Sequence, residues 1–221
     1  MPSPHHDPDS VDHPLFARFY ARLSTTADTR GGVRDLRREL LHGVSGRVIE
    51  IGAGNGLNFA HYPRAVSEVV AVEPERSLRR LAADAALRAE VPVDVVPGVA
   101  EALPVKSEAF DAAVASLVLC TVRDLPRALS ELHRVLRPDA ELRFFEHGRA
   151  PTAGMAAAQR MLDRTVWPRL FGGCHTAREP AAAIEDAGFR ITSCRAFRLP
   201  ELGPALPTSY CVIGTARRGP A

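Results

Sequence analysis

No run of apolar residues in this sequence reaches about 18, the length that a membrane-spanning helix needs. Cysteine is scarce. Cys120, Cys174, Cys194 and Cys211 show no C-x-x-C spacing, which argues against a zinc site or a disulfide framework and fits a reducing cytoplasm. Neither sign of charge dominates. The net charge is +2 and the arginines lie among acids, so no electrostatic argument favours nucleic acid. No repeat is visible. The opening "MPSPHHDPDS" lacks the charged and apolar regions of a signal peptide, and residues 1–11 read as a disordered tail. His5 and His6 stand there side by side, a pair expected to bind no metal.

What is present suits one α/β domain over residues 12–221, because 221 residues with ordinary apolar and charged fractions can bury a sizeable core. Residues 12–25 place Leu15, Phe16, Phe19, Tyr20 and Leu23 on one helical face, and a second helix is expected from Thr29 to Leu41, ended by Gly43. Strands are expected at 47–51, 68–74, 93–98, 109–119 and 140–147. Helical spacing fills "ERSLRRLAADAALRAE" and, after the cap Asp124, "LPRALSELHRVLRP", which Pro138 stops. Residues 12–45 then form a helical cap and residues 150–178 an insertion of lid type. "TARE" (176–179) reads as a capping box, followed by strands at 189–199 and 209–218. The alternation predicts a doubly wound, Rossmann-like sheet of seven strands, mostly parallel with the last antiparallel, and helices on both faces.

"VIEIGAGNGLNFAHYP" (48–63) sets an acid in a buried strand and three glycines after it. In an open parallel sheet the turn after the first strand lies at the ligand edge, where glycine permits close backbone approach. NAD, FAD and S-adenosylmethionine all fit such a turn. Glu50 separates them, since a carboxylate there repels a pyrophosphate and attracts an ammonium or sulfonium. The G-x-G-x-G spacing of Gly52, Gly54 and Gly56 also departs from G-x-G-x-x-G. Glu73, at the end of the second strand, is placed to accept ribose hydroxyls.

Together "VIEIGAGNG", "VVAVEP", "GVAEALP", "FDAAVAS" and "LHRVLRPDAELRFFE" resemble a class I S-adenosylmethionine-dependent methyltransferase over about residues 46–147. The resemblance implies a cofactor site of Glu50, Gly52, Ala53, Gly54, Asn55, Gly56 and Asn58 around the turn. It adds Glu73 and Pro74 after the second strand, Val99, Ala100 and Glu101 after the third, and Ser116 and Leu117 after the fourth. Val99 stands where many relatives carry an acid. "NFAHYP", "LVLCTV", "RVLRP", "FEH" and "W…GGCHTARE" are similar to a narrower subgroup that includes vertebrate thiol S-methyltransferases. Those relatives have an N-terminal membrane anchor that this sequence lacks, which favours a diffusible small-molecule thiol as acceptor. N-, O- or C-methylation of a small metabolite or lipid head group is the enzyme alternative, and a cofactor-binding interaction protein without turnover is the other.

Methyl transfer from a sulfonium needs alignment and an ionised acceptor. His147, after the fifth strand, is the first candidate for the base. His175, in a glycine-rich turn, is the second, and Tyr20 can hydrogen-bond the acceptor or the methionine end of the cofactor. Cys120 and Cys174 are expected to pack rather than react, and no metal is expected. Trp167, Phe171 and the face of Phe16, Phe19 and Tyr20 are expected either to wall an apolar acceptor pocket or simply to pack in the core.

Overall fold

A computed structural model describes residues 14–30, 32–165, 167–200 and 204–219. The expected tail, with His5 and His6, lies outside the described residues. In chain order the elements are α1 (Pro14–Arg30), α2 (Val33–Leu41), β1 (Gly46–Ile51), β2 (Val66–Val72), α3 (Arg76–Ala86), β3 (Val93–Val96) and β4 (Phe110–Ser116). They continue with α4 (Leu125–Val135), β5 (Leu136–His147), α5 (Ala153–Asp163), α6 (Trp167–Leu170), α7 (Pro180–Asp186), β6 (Phe189–Arg198) and β7 (Tyr210–Arg218). Among the described residues, no helix is long and apolar enough to cross a membrane.

The seven strands form one sheet in the order β3-β2-β1-β4-β5-β7-β6. β1 to β5 pair in parallel, while β7 runs antiparallel to both β5 and β6. β1 lies between β2 and β4, so the strand order reverses there. The crevice for a ligand in such a sheet opens at the carboxyl ends of those strands. Side chains alternate along β1. Ile49 and Ile51 pack with Leu129 and Leu132 of α4 on one face, and Val48 packs with Leu40 and Leu41 of α2 on the other. The same alternation puts Glu50 on the α2 side.

α4 follows its pattern closely. Asp124 Oδ1 accepts from Arg127 N at 3.0 Å, and Ala128, Leu129, Leu132 and Val135 are buried as one stripe. The helix ends at Val135, ahead of Pro138, because Leu136 is already extended and pairs with Phe110 of β4.

Two expectations are corrected. Thr29 does not start the second helix. It sits in the last turn of α1, where Thr25 and Thr29 hydroxyls bond back to the Ala21 and Thr25 carbonyls at 2.7 and 3.0 Å. The break comes at Gly32, whose φ of 74° is the left-handed conformation that ends helices. Thr176 caps nothing either. It is buried, its N and Oγ1 both donate to Asp163 Oδ1 at 2.7 and 3.1 Å, and α7 begins at Pro180 instead. The carboxylate at the end of α5 outcompetes the local box.

Residues 150–178 are pinned to the sheet rather than loose over it. Buried Gln159 accepts from Ala150 N at 2.7 Å and donates to the carbonyls of Gly148 and Pro207. Arg178 donates to the carbonyls of Leu119 and Val122.

Burial sets a clear contrast within α4. Leu132→Ala should cost about 2–5 kcal/mol in urea unfolding, and Leu125→Ala, on the half-buried first turn, less than half as much. Equal losses at the two positions contradict this packing.

Candidate functional site

The glycine turn leaves β1 with Gly52, Gly54 and Gly56 at φ of 61°, 57° and 77°. Gly52 has no substitute, because a Cβ there would lie 2.3 Å from Val118 Cγ2. Ala53, buried beside it, donates to the Val72 carbonyl at 3.2 Å and ties the turn to β2. Glu73 follows β2 directly and is buried. Its Oε2 accepts from Gly54 N at 2.7 Å and its Oε1 from Glu75 N at 2.9 Å, while burial raises its carboxyl above the usual range. Glu75, which sequence reasoning missed, caps α3 through Leu78 N at 2.6 Å. Its other oxygen, Oε1, is buried with no partner. Pro74 contributes its carbonyl to Arg79.

Glu50 is buried with both oxygens engaged. Oε1 accepts from Asn58 Nδ2 and Oε2 from the Tyr62 hydroxyl, each at 2.8 Å. Burial pushes its carboxyl up to about 7, against the pull of those two bonds and of Arg37. Both of its oxygens are thereby committed to holding Asn58 and Tyr62 on either side of the turn. Arg37 was also missed. From α2 its Nε donates to Asp28 at 3.1 Å, and its Nη1 donates to Asn58 Oδ1 at 2.7 Å and Ser116 Oγ at 3.3 Å. The signal was an arginine between Val33 and Leu40 on an otherwise apolar helical stripe. Leu117 follows Ser116 at φ 57°, a strained left-handed residue fastened by its N–H to the Phe145 carbonyl at 2.7 Å.

The remaining cofactor candidates are more peripheral. Asn55 reaches Ser24 and Thr25 of α1 only through contacts of 3.5 and 3.4 Å. Val99 bridges Ala102 across a tight turn, and Ala100 is buried in the core beside α4. The Glu101 carboxylate accepts from Arg123 N and Asp124 N, which fastens that turn to the start of α4.

Tyr20 lies over the turn, with its Cε1 3.4 Å from where a Gly54 Cβ would stand. Burial pushes its hydroxyl up to about 12, so at neutral pH it serves as a hydrogen-bonding group and not as a base. The rest of the expected apolar face is open where it is described, since Phe19 and Leu23 are 51% and 49% exposed. A groove of about 1130 Å³ lies between α1, α2 and α3, past Asn55, Gly56 and His61. It is lined by none of Glu50, Glu73 or His147, so it borders the candidate chemistry without containing it.

Sequence reasoning named His147 and set aside its neighbours. His147 Nδ1 lies 3.6 Å from Cys120 Sγ and 3.7 Å from Cys174 Sγ. The three ligand atoms lie within 4.8 Å of one another, so the absence of C-x-x-C spacing did not exclude a cluster. A hydrogen bond from Cys120, together with facing His147, lowers the Cys174 thiol to about 5, while Cys120 is raised. Trp167 stacks on Phe171 with centroids 3.8 Å apart, and its buried Nε1 has no full hydrogen bond. His175 is fastened elsewhere. Its Nδ1 donates to the Gly173 carbonyl at 2.6 Å and its backbone N to the Cys120 carbonyl at 2.8 Å, so it orders the turn that carries Cys174.

The model of a methyltransferase domain family matches residues 49–144. The chain is 32% identical over 181 residues to the thiol S-methyltransferase TMT1B of Mus musculus, covering 79% of this chain and 72% of that protein. This protein belongs to the S-adenosylmethionine-dependent methyltransferases. It is also 32% identical over 176 residues to the ubiquinone/menaquinone biosynthesis C-methyltransferase UbiE of Syntrophotalea carbinolica, covering 75% of this chain and 73% of that one. A solved S-adenosylmethionine-dependent methyltransferase from Thermotoga maritima shares the fold at TM-score 0.67 and 21% identity, over 92% of this chain and 98% of that one.

The methyltransferase cofactor is S-adenosylmethionine, and the residues at the turn fit it. Glu73 and the unpartnered Oε1 of Glu75 offer acceptors for ribose hydroxyls, which are donors. The acids around the turn suit an ammonium and a sulfonium and would repel a phosphate.

Glu50 also makes stability depend on pH. Its folded pKa of about 7 lies above the ordinary 4.5, so the folded state holds the extra proton between those values, and this contribution falls as pH rises through that window. Arg37 of α2, Tyr62 beyond the glycine turn and Glu73 after β2 face it and remain unchanged in Glu50→Gln. The difference in unfolding free energy between parent and Glu50→Gln should therefore drift by up to about 3 kcal/mol from pH 4.5 to 7. Parallel stability curves would place the Glu50 pKa at its ordinary value.

Proposed function

We propose that this methyltransferase acts on the sulfur of a small-molecule thiol. The observation that carries the reading is the 32% identity to a thiol S-methyltransferase over 79% of this chain. The position of His147, Cys120 and Cys174 supports it, since the end of β5, the loop after β4 and the turn after α6 bring them together at the sheet edge that also bears Glu73.

In this reading Glu73, Glu75 and the glycine turn hold the cofactor, and Glu50 with Asn58 shapes the turn. Ala53, Pro74, Val99, Ala100, Glu101, Ser116 and Leu117 complete the walls. The cofactor supplies a methyl on a positive sulfur, whose charge is lost on transfer. The chain aligns the acceptor in line with that methyl and keeps water out. An alkyl thiol of pKa about 8.5 is only a few per cent ionised at neutral pH, so the acceptor needs help to ionise. His147 is the side chain we place against the acceptor sulfur, and Tyr20 the one that hydrogen-bonds over the turn. His175 acts on the turn beneath.

Residues 12–25 and 150–178 enclose the acceptor within a single domain over 12–221. Because Gln159 and Arg178 pin the insertion, its closing motion is confined to α6 around Trp167 and Phe171. The same reading sets the chain in a reducing cytoplasm, where its four cysteines stay free. A second reading, methylation at carbon, is favoured by the equal identity to UbiE.

Two measurements test these assignments. Incubation with thiol, phenol, amine and quinol acceptors, scored by mass spectrometry for a methyl gain, should show transfer to thiols. Transfer to the quinol alone would establish the second reading instead. In calorimetry Glu73→Ala should weaken S-adenosylhomocysteine binding by about 1–3 kcal/mol, and unchanged affinity would remove Glu73 from the site.

A further inference from the structure

We infer that Cys120, His147 and Cys174 form a zinc site whose open fourth position receives the acceptor sulfur as a thiolate. The second half of the inference rests on the thiol reading above; the first half does not.

The geometry comes first. Zinc with bonds of about 2.3 Å to thiolate and about 2.0 Å to imidazole, arranged tetrahedrally, sets sulfur and nitrogen about 3.5–3.6 Å apart and two sulfurs about 3.8 Å apart. Here the sulfur-to-Nδ1 distances are 3.6 and 3.7 Å, and all three ligand atoms fall within 4.8 Å of one another. A hydrogen bond joins the two sulfurs, but hydrogen bonding gives the imidazole only one of them. Nδ1 carries either one N–H or one in-plane lone pair, yet two sulfurs face it at nearly equal distance. A cation among the three satisfies all of them. Two thiolates and a neutral imidazole also cancel the charge of a divalent ion, which suits a buried place.

The support around the ligands is built. Glu146, fully buried, accepts from Val118 N and Leu119 N at 2.9 Å and from Cys120 N at 3.2 Å, which fixes the loop that carries Cys120. His175 N bonds the Cys120 carbonyl, and Gly173 packs so closely that a Cβ would lie 2.6 Å from the Thr121 carbonyl oxygen. The Cys120 and Cys174 backbones are thereby held together before any ion arrives. Three protein ligands and one open position is the pattern of a catalytic rather than a structural zinc.

A thiol that coordinates zinc is deprotonated outright, which answers the need for an ionised acceptor. On coordination the acceptor's S–H proton leaves to solvent water. Its sulfur lone pair then forms the new S–CH3 bond, and the sulfonium C–S bond breaks with its electron pair remaining on the donor sulfur. The product thioether is neutral, a poorer ligand than the thiolate, and leaves.

The test uses the full chain, freed of metal with a chelator and kept reduced. Titration with zinc should give about one tightly bound ion per chain, and cobalt(II) should give a thiolate-to-metal charge-transfer band. Cys120→Ser and Cys174→Ser should each weaken zinc binding by more than about tenfold, whereas Cys194→Ser, at an exposed cysteine on β6, should not. The cobalt spectrum of the unsubstituted chain serves as the readout should a variant fail to fold. Absence of the band, or a reduced chain that takes up no zinc, overturns the site. Formation of a Cys120–Cys174 disulfide in its place, with no metal uptake after reduction, does so too. With S-adenosylhomocysteine present, a small thiol should shift the cobalt band and its S-methyl thioether should not. An unshifted band leaves a structural metal and overturns the acceptor role. A shifted band without methyl transfer to any thiol in the acceptor panel separates failure of the thiol reading from failure of the site.

Discussion

One buried guanidinium joins the parts of this molecule that must meet at the cofactor. Arg37 extends from α2 to Asp28 in α1, Asn58 after the glycine turn and Ser116 at the end of β4. A buried charge is costly unless it is paired and hydrogen-bonded, and removing one partner from such a pair strands the other. Arg37 and Asp28 are both nearly inaccessible, so the helical cap is not free to drift from the sheet. Through Asn58 the same group touches Glu50, whose burial is tolerable because Asn58 and Tyr62 bond both of its oxygens. The chain Asp28–Arg37–Asn58–Glu50–Tyr62 thus sets the shape of the glycine turn from below, while Glu73 holds Gly54 from the side.

The carboxyl ends of β4 and β5 depend on a second buried acid. Glu146 gathers three successive N–H groups of the loop after β4, and Arg178 takes two carbonyls of the same loop. A loop with its donors and acceptors so satisfied behaves as part of the scaffold, and side chains on it keep their positions. Cys120 is on that loop, and Leu117 holds its strained φ at the loop's start.

How much of this was legible depended on the distance in sequence over which each feature is encoded. The seven strands with the last antiparallel, the glycine-rich turn after β1 and the α4 stripe are written in local patterns of a few residues, and the structure has them where the sequence put them. Thr29 and Thr176 were misread because a capping residue is a local signal that a nearby competitor can override. Thr29 lost to the continuing helix, and Thr176 to Asp163. Arg37 was overlooked although an arginine on an apolar stripe is itself a signal. The Cys120–His147–Cys174 grouping had no local signature at all. Its members are spaced 27 residues apart twice over and meet only because β4, β5 and the 173–178 turn share one edge.

That last case shows what motif spacing measures. C-x-x-C places two sulfurs together because a short turn can do nothing else, so the sequence alone fixes the geometry. Here the geometry is fixed by the sheet: parallel pairing of β4 with β5 sets Cys120 beside His147, and Arg178 with His175 brings Cys174 down onto both. The scaffold therefore determines the sulfur–imidazole distances, and those distances change if the loop after β4 or the 173–178 turn moves. Glu146 and Arg178 oppose such movement from opposite sides. The same two groups that make the fold rigid at this edge therefore hold the three side chains at coordination distance.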